Sequence, residues 1–197
     1  MSSIVFATHN LGKLNEARNI LTQFDIVDTQ KLNIPDVAET GSTYVENALI
    51  KAKNACQFTS LPVFADDSGL EIDALDGRPG LYSARYIKAN DFDANIAGIL
   101  EEMKDIPWAK RTARFRSVVV YLRHLKDPAP VIVEATWSGI ITEEHHQKTH
   151  GFGYDPIFWL TEHQMTASEM HPDTKNKLSH RGQVLKKLAQ KLNDVRA

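Results

Sequence analysis

The first 24 residues contain two hydrophobic patterns in succession, and this order restricts the folds open to the chain. Ile4–Ala7 is a short apolar run of the kind found in buried strands. Four apolar residues then recur at helical spacing: Leu14, Ala17, Leu21 and Phe24. The chain is therefore predicted to begin with a strand, a loop and a helix.

The loop between this strand and this helix has a composition that suits an anion. It consists of Thr8, His9, Asn10, Leu11, Gly12 and Lys13. Small and polar residues free the backbone to curl, and the N–H groups at a helix start and the Lys13 ammonium both attract negative charge. It is not a Walker A loop, because residue 7 is alanine and Leu14 follows the lysine. A routine connection without a ligand is the alternative.

A second segment, Ala65–Gly69, places two carboxylates and a hydroxyl directly after an apolar run. We expect a buried strand to end at Ala65, so that Asp66, Asp67 and Ser68 meet a cleft without being enclosed. Adjacent acids commonly bind a hard cation, and Mg²⁺ prefers a few carboxylate oxygens together with water and substrate phosphate. The segment favours a metal and phosphate site, and an acidic turn is the alternative.

Thr43 and Glu46 have the spacing of a capping box, and an apolar stripe follows them, which predicts a helix over about 43–58. Glu39 lies in the polar turn just upstream, where a carboxylate near a helix start is tolerated and is either a local cap or a ligand. Lys51 and Lys53 point to different faces of this helix, so at most one of them is expected in a given cleft.

The same patterns predict the remaining elements. A strand is expected over 70–75, a helix over 93–103, and the two strands of a hairpin over 113–125 and 131–137. A closing helix is expected after Ser179, with an apolar face of Val184, Leu185, Leu188, Leu192 and Val195. Four arginines in and beside the hairpin are expected to be solvated: Arg111, Arg114, Arg116 and Arg123.

Composition limits the classes of function. Of the 197 residues, 42% are hydrophobic, which is enough to bury a substantial core as one domain over 1–197. The formal net charge of -2 does not provide the positive field of a typical nucleic-acid-binding domain. The N-terminal apolar run is too short for a signal peptide or membrane span, and Cys56 is the single cysteine, so we expect a cytoplasmic protein without a disulfide.

His145, His146 and His150 lack a cysteine partner, and no zinc site is expected there.

The loop Gly151–Pro156 contains Phe152, Gly153, Tyr154 and Asp155. Aromatic rings can stack on a heterocycle, glycines allow close backbone approach, and the acid can accept a base N–H. The loop is therefore a candidate base site, and an aromatic core turn is the alternative.

Lys175, His180 and Arg181 lie just before and at the start of the closing helix. Their donors could reach a base carbonyl or a phosphate. A solvated helix end is the alternative.

Six motifs, taken in order, resemble those of the Ham1 family of non-canonical purine nucleoside triphosphate pyrophosphatases, which are ITPase-like enzymes. They are residues 8–13, 39–48, 65–69, 79–85, 151–156 and 179–182, and they span nearly the whole chain. The resemblance implies a single domain with a mixed α/β fold, a central β-sheet flanked by helices, two lobes around a nucleotide-binding cleft, and a homodimer. It also implies Mg²⁺-dependent hydrolysis of dITP, ITP and XTP to the monophosphate and pyrophosphate, which removes deaminated purines from the nucleotide pool.

The resemblance further implies roles for individual residues. The loop Thr8–Lys13 would bind the triphosphate, with Ser68 as a substrate contact and Lys51 as a further phosphate candidate. Asp67 would be the catalytic base and, with Glu39, a metal ligand. Contacts with the base and the rest of the substrate are implied for Phe152, Gly153, Tyr154, Asp155, Lys175, His180 and Arg181.

The sequence allows more than one role or ring at three positions. A metal-bound carboxylate is a poor base, so Asp66 or metal hydroxide could share the role of Asp67. His9 stands where many members of the family carry a small residue, which points to a different rim of the loop. Tyr154 stands where human-type members carry tryptophan, and either ring can stack.

Two other classes of function would use the same residues differently. A noncatalytic purine-nucleotide sensor would keep Lys13 and the aromatic loop but release no pyrophosphate. An RNA-binding protein would use the basic positions between 111 and 123, and its binding would depend on salt. We expect neither a stable nucleic-acid partner nor a membrane.

Overall fold

The computed structural model describes residues 2–146 and 150–194, and these ranges contain seven strands and five α-helices. The strands are β1 (Ser2–Phe6), β2 (Phe24–Asp28), β3 (Val63–Ile72), β4 (Thr112–Leu122), β5 (Val131–Ile141), β6 (Phe158–Leu160) and β7 (Met165–Thr166). The helices are α1 (Leu11–Ile20), α2 (Tyr44–Ala55), α3 (Phe92–Glu102), α4 (Pro172–Leu178) and α5 (His180–Asp194). In these ranges no helix has the length and apolar character to cross a lipid bilayer.

The strands form one sheet in the order β2-β1-β3-β4-β5-β6-β7. β1 is parallel to both of its neighbours, with Ile4 opposite Ile26 on β2 and Phe6 opposite Phe64 on β3. β6 is antiparallel to both β5 and β7. The sheet is thus mixed, and the prediction of an α/β fold with a mixed central sheet is confirmed.

The chain forms two compact units. Unit 1 spans Met1–Asp67, Ser117–Ala135 and Arg181–Ala197, and unit 2 spans Ser68–Arg116 and Thr136–His180. The single ITPase-like domain over residues 1–197 stays a prediction.

In unit 1 the pleat of the strands sends successive side chains into two different apolar clusters. Phe6 and Phe64 stack on each other and pack in a cluster with residues of α1 and α5. Val5, Val63 and Ala65 pack in a second cluster with residues of α2. β1 and β3 are therefore covered on both faces, as is usual for parallel strands.

The acidic segment does not follow a strand end. β3 continues from Val63 through Asp66 and Asp67 to Ile72, so the predictions of a strand ending at Ala65 and of a possible acidic turn are wrong. The carboxylates are tolerated inside the strand because cationic side chains of the same unit neutralise them: Lys13 pairs with Asp66 and Lys51 lies near Asp67.

The first helix is shorter than its apolar spacing indicates. α1 ends at Ile20, where the N–H of Leu21 donates to the carbonyl of Ala17, and Phe24 begins β2. Phe24 and Ile26 are both buried, and this alternation is that of a strand. Phe24 lies three residues after Leu21, a spacing that fits a helix by coincidence. The strand β2 was not predicted.

The other helices lie close to their expected positions. Thr43 caps α2, and its hydroxyl accepts from the Glu46 N–H while the Glu46 carboxylate accepts from the Thr43 N–H, which confirms the capping box. In α5 the apolar residues from Val184 to Leu192 are buried as predicted, and Val195 lies outside the described residues. The predicted hairpin strands correspond to β4 and β5, which are neighbours in the sheet.

Arg111 is not solvated. It is only 1% exposed, and its guanidinium donates to the carbonyls of Met103, Ile106, Ile141 and Thr142 at 2.6 to 3.1 Å. A guanidinium carries five N–H donors in a rigid plane, so it can satisfy several fixed carbonyls at once. Arg111 therefore links the end of α3 to the end of β5 inside unit 2.

The other three arginines each pair with a carboxylate. Arg114 pairs with Asp73, Arg116 with Glu71 at 3.0 Å and Arg123 with Asp127 at 2.5 Å. Arg114 and Arg116 are half-buried and Arg123 is exposed.

Arg111→Lys is expected to lower the free energy of unfolding by roughly 2–4 kcal/mol, because an ammonium cannot span four carbonyls and leaves buried acceptors unpaired. Arg114→Lys is the matched control, and its partly exposed ion pair predicts a change below about 1 kcal/mol. Urea denaturation followed by circular dichroism measures both. Equal losses in the two variants would contradict the structural role of Arg111.

Candidate functional site

The loop between β1 and α1 is ordered by its own side chains. The Thr8 hydroxyl accepts from the N–H of Asn10 at 3.2 Å, and the Asn10 carboxamide accepts from the N–H of Lys13 at 3.0 Å. Asn10 is thereby the N-cap of α1, and His9, Leu11 and Gly12 are exposed beside it. The loop presents the positive end of a helix dipole next to Lys13, an arrangement that can bind an anion.

The pleat of β3 separates the two acids of the acidic segment. Asp66 follows the parity of Phe64, whose face packs with α1 and α5, and Asp67 follows the parity of Ala65, whose face packs with α2. Successive side chains of a strand point to opposite faces, so the two carboxylates meet different partners.

Asp66 lies between two cations. Its Oδ2 is 2.8 Å from Nζ of Lys13 and 3.9 Å from Nε of Arg181, and Arg181 also pairs with Glu16 of α1 at 2.6 Å. Burial opposes ionisation of Asp66, but the charges of Lys13, Arg181 and Lys51 outweigh it and lower the pKa of this carboxyl to about 2. Asp66 is therefore a permanent anion at neutral pH.

Asp67 faces residues of α2 and the turn before it. The Asn47 amide donates to its Oδ2 at 3.1 Å, and Lys51 Nζ lies 3.6 Å from its Oδ1. The same Lys51 Nζ contacts the Glu39 carboxylate at 2.7 Å, so Glu39 and Asp67 converge on one point. Asn47 and Lys51 are one helical turn apart and share a face of α2, whereas Lys53 is exposed, as the divergence of the two lysines predicts.

The protonation tendencies of this group differ from those at Asp66. Burial, partly opposed by Lys51 and reinforced by the negative charge of Glu39, raises the pKa of Asp67. Desolvation would lower the pKa of Lys51, but Asp66, Asp67 and Glu39 outweigh this and leave the pKa raised. Lys51 is thus a firmly charged cation beside a carboxylate that takes up a proton more readily than usual.

Two carboxylates that meet at one cation form a donor set suited to Mg²⁺, which takes one or two protein carboxylates and completes its shell with water and phosphate oxygens. Glu39 and Asp67 fit this description. Within residues 2–146 and 150–194 no group of three or more His, Cys, Asp and Glu side chains is placed to hold a metal.

The aromatic loop of unit 2 has one exposed ring and one buried ring. Phe152 is 48% exposed and Tyr154 is 2% exposed. Phe92 of α3 contacts both rings edge-on, at centroid distances of 4.7 and 5.5 Å, and the Tyr154 hydroxyl donates to the Ser83 carbonyl at 2.7 Å. Phe152 is therefore the ring available for stacking, and the buried Tyr154 anchors the loop to Phe92 and Ser83.

Asp155 organises the backbone of this loop. It is buried, and its Oδ2 accepts from the Phe152 N–H at 2.5 Å and pairs with Lys175 of α4. Gly153, buried with a positive φ of 66°, allows the chain to turn between the two rings. Lys175 and Asp155 are brought together with the aromatic residues in one small part of unit 2.

His180 and Arg181 are neighbours in sequence but belong to different units. The His180 ring is buried and stacks on Phe115 at 4.8 Å in unit 2. Arg181 lies in unit 1 with Asp66 and Glu16. Ser68 is half-buried in β3 and is the first residue of unit 2.

The similarity of this chain to known proteins extends over its whole length. A family model described as the Ham1 family matches residues 4–191. The chain belongs to the Ham1 family. It is similar to the dITP/XTP pyrophosphatase of Escherichia coli (strain K12), with 46% identity covering 98% of this chain and 100% of that protein. It is also similar to the dITP/XTP pyrophosphatase of Xanthomonas campestris pv. campestris (strain 8004), with 50% identity and 98% of each chain covered.

Solved structures have the same fold as this Ham1 chain. A HAM1 protein from Coxiella burnetii is 42% identical and superposes with a TM-score of 0.91, covering 98% of this chain and 100% of that protein. The Staphylococcus aureus Ham1 protein is 34% identical with a TM-score of 0.86, covering 98% and 99%.

Three residues that were not predicted contact candidate residues within their own unit of this Ham1 chain. They are Asn47, Ser83 and Phe92. Asn47 had a signal, since it is one turn before Lys51 on the same helix face. Ser83 lies in the motif 79–85 without a predicted contact, and Phe92 had no signal, because their partners are distant in sequence.

Asn47→Ala is expected to lower the free energy of unfolding by about 2 kcal/mol, because the buried amide accepts from the Gly41 N–H and donates to Asp67. Asn54→Ala on the same helix removes one exposed hydrogen bond to the Pro35 carbonyl, and it should change stability by less than about 1 kcal/mol. Urea unfolding measures both variants. An Asn47→Ala protein as stable as Asn54→Ala would refute the support role.

Proposed function

We propose that this Ham1 chain hydrolyses the triphosphates of non-canonical purines, dITP, ITP and XTP, to the nucleoside monophosphate and pyrophosphate. The observation that carries the proposal is full-length identity of 46% and 50% with proteins named dITP/XTP pyrophosphatase. The chemistry of the candidate site agrees with it, since cations, carboxylates and an exposed aromatic ring suit a phosphate, a metal and a base respectively.

The triphosphate would bind at the loop Thr8–Lys13. The N–H groups at the start of α1 and the Lys13 ammonium attract phosphate oxygens, and Ser68 would add a hydroxyl contact. Lys51, held by Glu39 and Asp67, is a second cation suited to phosphate oxygens. These groups would neutralise the charge that develops on pyrophosphate as it leaves.

Glu39 and Asp67 would hold Mg²⁺ in this proposal, since their carboxylates converge at Lys51. When bound, the ion would supply positive charge to the phosphate oxygens.

Asp67 would also orient the attacking water and accept its proton. The oxygen of the water forms a bond to the α-phosphorus, the bond from the α-phosphorus to the bridging oxygen breaks, and pyrophosphate leaves. The Asn47 amide donates to Asp67 Oδ2 and fixes the orientation of the carboxylate for this task.

The base would stack on Phe152, with Gly153, Tyr154, Asp155 and Lys175 shaping the loop. His180 and Arg181 would donate to the 6-oxo group of hypoxanthine or xanthine. Adenine presents an amino donor there, and a donor facing a donor costs about 1–3 kcal/mol when buried. Guanine shares the 6-oxo group, so its rejection requires crowding or an unmatched donor at its 2-amino group.

We also propose where the protein acts and how it assembles. The protein acts in the cytoplasm as a homodimer with one ITPase-like domain per chain, and it has neither a stable nucleic-acid partner nor a membrane partner.

A substrate panel tests the proposed reaction. With Mg²⁺ present, dITP, ITP and XTP should be hydrolysed far faster than ATP and GTP, and pyrophosphate should be the first product. Asp67→Asn is the control, and it should lower kcat severely while the melting temperature stays close to that of the wild type. Orthophosphate as the first product, binding without turnover, or normal turnover in Asp67→Asn would refute the corresponding assignments.

Substitutions of Phe152 and Tyr154 in the aromatic loop should have different effects. Phe152→Leu should raise KM for dITP about tenfold with little change in stability, because base stacking is worth roughly 1–3 kcal/mol. Tyr154→Phe keeps the ring but loses the hydrogen bond to Ser83, so it should lower the free energy of unfolding by about 1 kcal/mol with KM nearly unchanged. Steady-state kinetics and urea unfolding measure the two effects, and an unchanged KM in Phe152→Leu would remove this ring from the base site.

A further inference from the structure

Asp66 has no task in the proposed hydrolysis, although it is the more deeply buried of the two adjacent acids. It is 2% exposed, whereas Asp67 is 7% exposed. A buried carboxylate inside a strand is costly unless a cation compensates it, so its presence calls for a partner and a role.

The partners of Asp66 are two cations that come from distant parts of the chain. Lys13 lies in the first turn of α1, with its Nζ 2.8 Å from Oδ2 of Asp66. Arg181 lies in the first turn of α5, with its Nε 3.9 Å from the same oxygen. Both cations belong to unit 1, as does Asp66.

The pairing of β1 with β3 places the loop Thr8–Lys13 next to Asp66. β1 and β3 are parallel neighbours, and the Ala7 N–H donates to the Phe64 carbonyl at 2.8 Å just before the loop begins. Two residues further along β3, Asp66 has the same parity as Phe64 and points to the face that α1 covers. The Lys13 side chain is a flexible four-carbon chain, and a fixed anion beneath it limits its conformations.

We propose that Asp66 is a positioning residue that holds the Lys13 ammonium at the loop Thr8–Lys13 and keeps Arg181 beside this ammonium. This inference rests on the proposed function, because it concerns the same hydrolysis. Asp66 acts through Lys13 and does not itself touch the substrate or the attacking water. Its pairing with Lys13 also argues against a shared role as base, since Asp67 lies on the opposite face of β3 with Asn47 and Lys51.

A double-mutant cycle on kcat/KM for dITP tests this role with the full chain. Asp66→Asn keeps the shape of the side chain and removes its charge, and it should lower kcat/KM by about tenfold to a hundredfold. Lys13→Met should produce a loss of similar size. The double variant should be no worse than Lys13→Met alone, because Asp66 has nothing left to position.

Asp28→Asn is the matched control. Asp28 ends β2 and pairs with Arg18 of α1 at 3.1 Å, so it is also a strand acid bound to a cation of α1, but it is outside the candidate site. Its kcat/KM should equal that of the wild type.

The outcomes separate this inference from the proposed function. A wild-type chain that does not release pyrophosphate from dITP overturns the proposed function and this inference with it. An active wild type in which the losses of Asp66→Asn and Lys13→Met multiply in the double variant overturns the positioning role alone. Tighter substrate binding by Asp66→Asn also overturns it, because Asp66 would then compete with phosphate for Lys13.

Asp66→Glu serves if Asp66→Asn does not fold. It keeps the charge but moves the carboxylate by one methylene, so kcat/KM should fall and the fall should vanish in the Lys13→Met background. Wild-type kcat/KM in Asp66→Glu would overturn the proposal.

Discussion

The pleat of β3 determines where the charges of unit 1 lie. Because successive residues of a strand point to opposite faces, Asp66 and Asp67 are neighbours in sequence but meet different helices. Asp66 meets the cations at the starts of α1 and α5, and Asp67 meets the amide and ammonium on one face of α2. The two carboxylates of one dipeptide therefore contact two separate sets of partners, one on each face of β3.

Each of these buried charges is stabilised by a partner that a different element supplies. Lys13 follows β1, Lys51 belongs to α2 and Arg181 belongs to α5, so the acids of β3 connect three elements of unit 1. Removal of the Lys13 ammonium would leave the buried Asp66 carboxylate with only the more distant Arg181, and breaking a buried pair in this way costs on the order of 3–5 kcal/mol. In unit 2 the candidate base loop is held by ring packing and a hydrogen bond. Phe92 and the Ser83 carbonyl fix the buried Tyr154 ring, while Phe152 stays exposed.

Local signals predicted the parts of the fold that depend on local interactions. The capping box of Thr43 and Glu46 and the apolar stripe of α5 specify their helices with few partners from elsewhere. The predictions were wrong where contacts with residues distant in sequence determine the structure. β3 continues past Ala65 because Lys13 and Lys51 neutralise its acids. Arg111 is buried because four carbonyls accept from it, and two of them, those of Ile141 and Thr142, are distant in sequence. The motifs identified the candidate residues, whose roles stay predictions, but the separate partners of Asp66 and Asp67 required the structure.

In the proposed reaction, Asp67 directs water to the α-phosphorus while the cations near it bind the departing pyrophosphate. Hydrolysis of dITP in ¹⁸O-labelled water, followed by mass spectrometry of both products, tests it most directly. We expect one ¹⁸O atom in dIMP and none in pyrophosphate. Label in the pyrophosphate would place the attack on the β-phosphorus and rule out this mechanism.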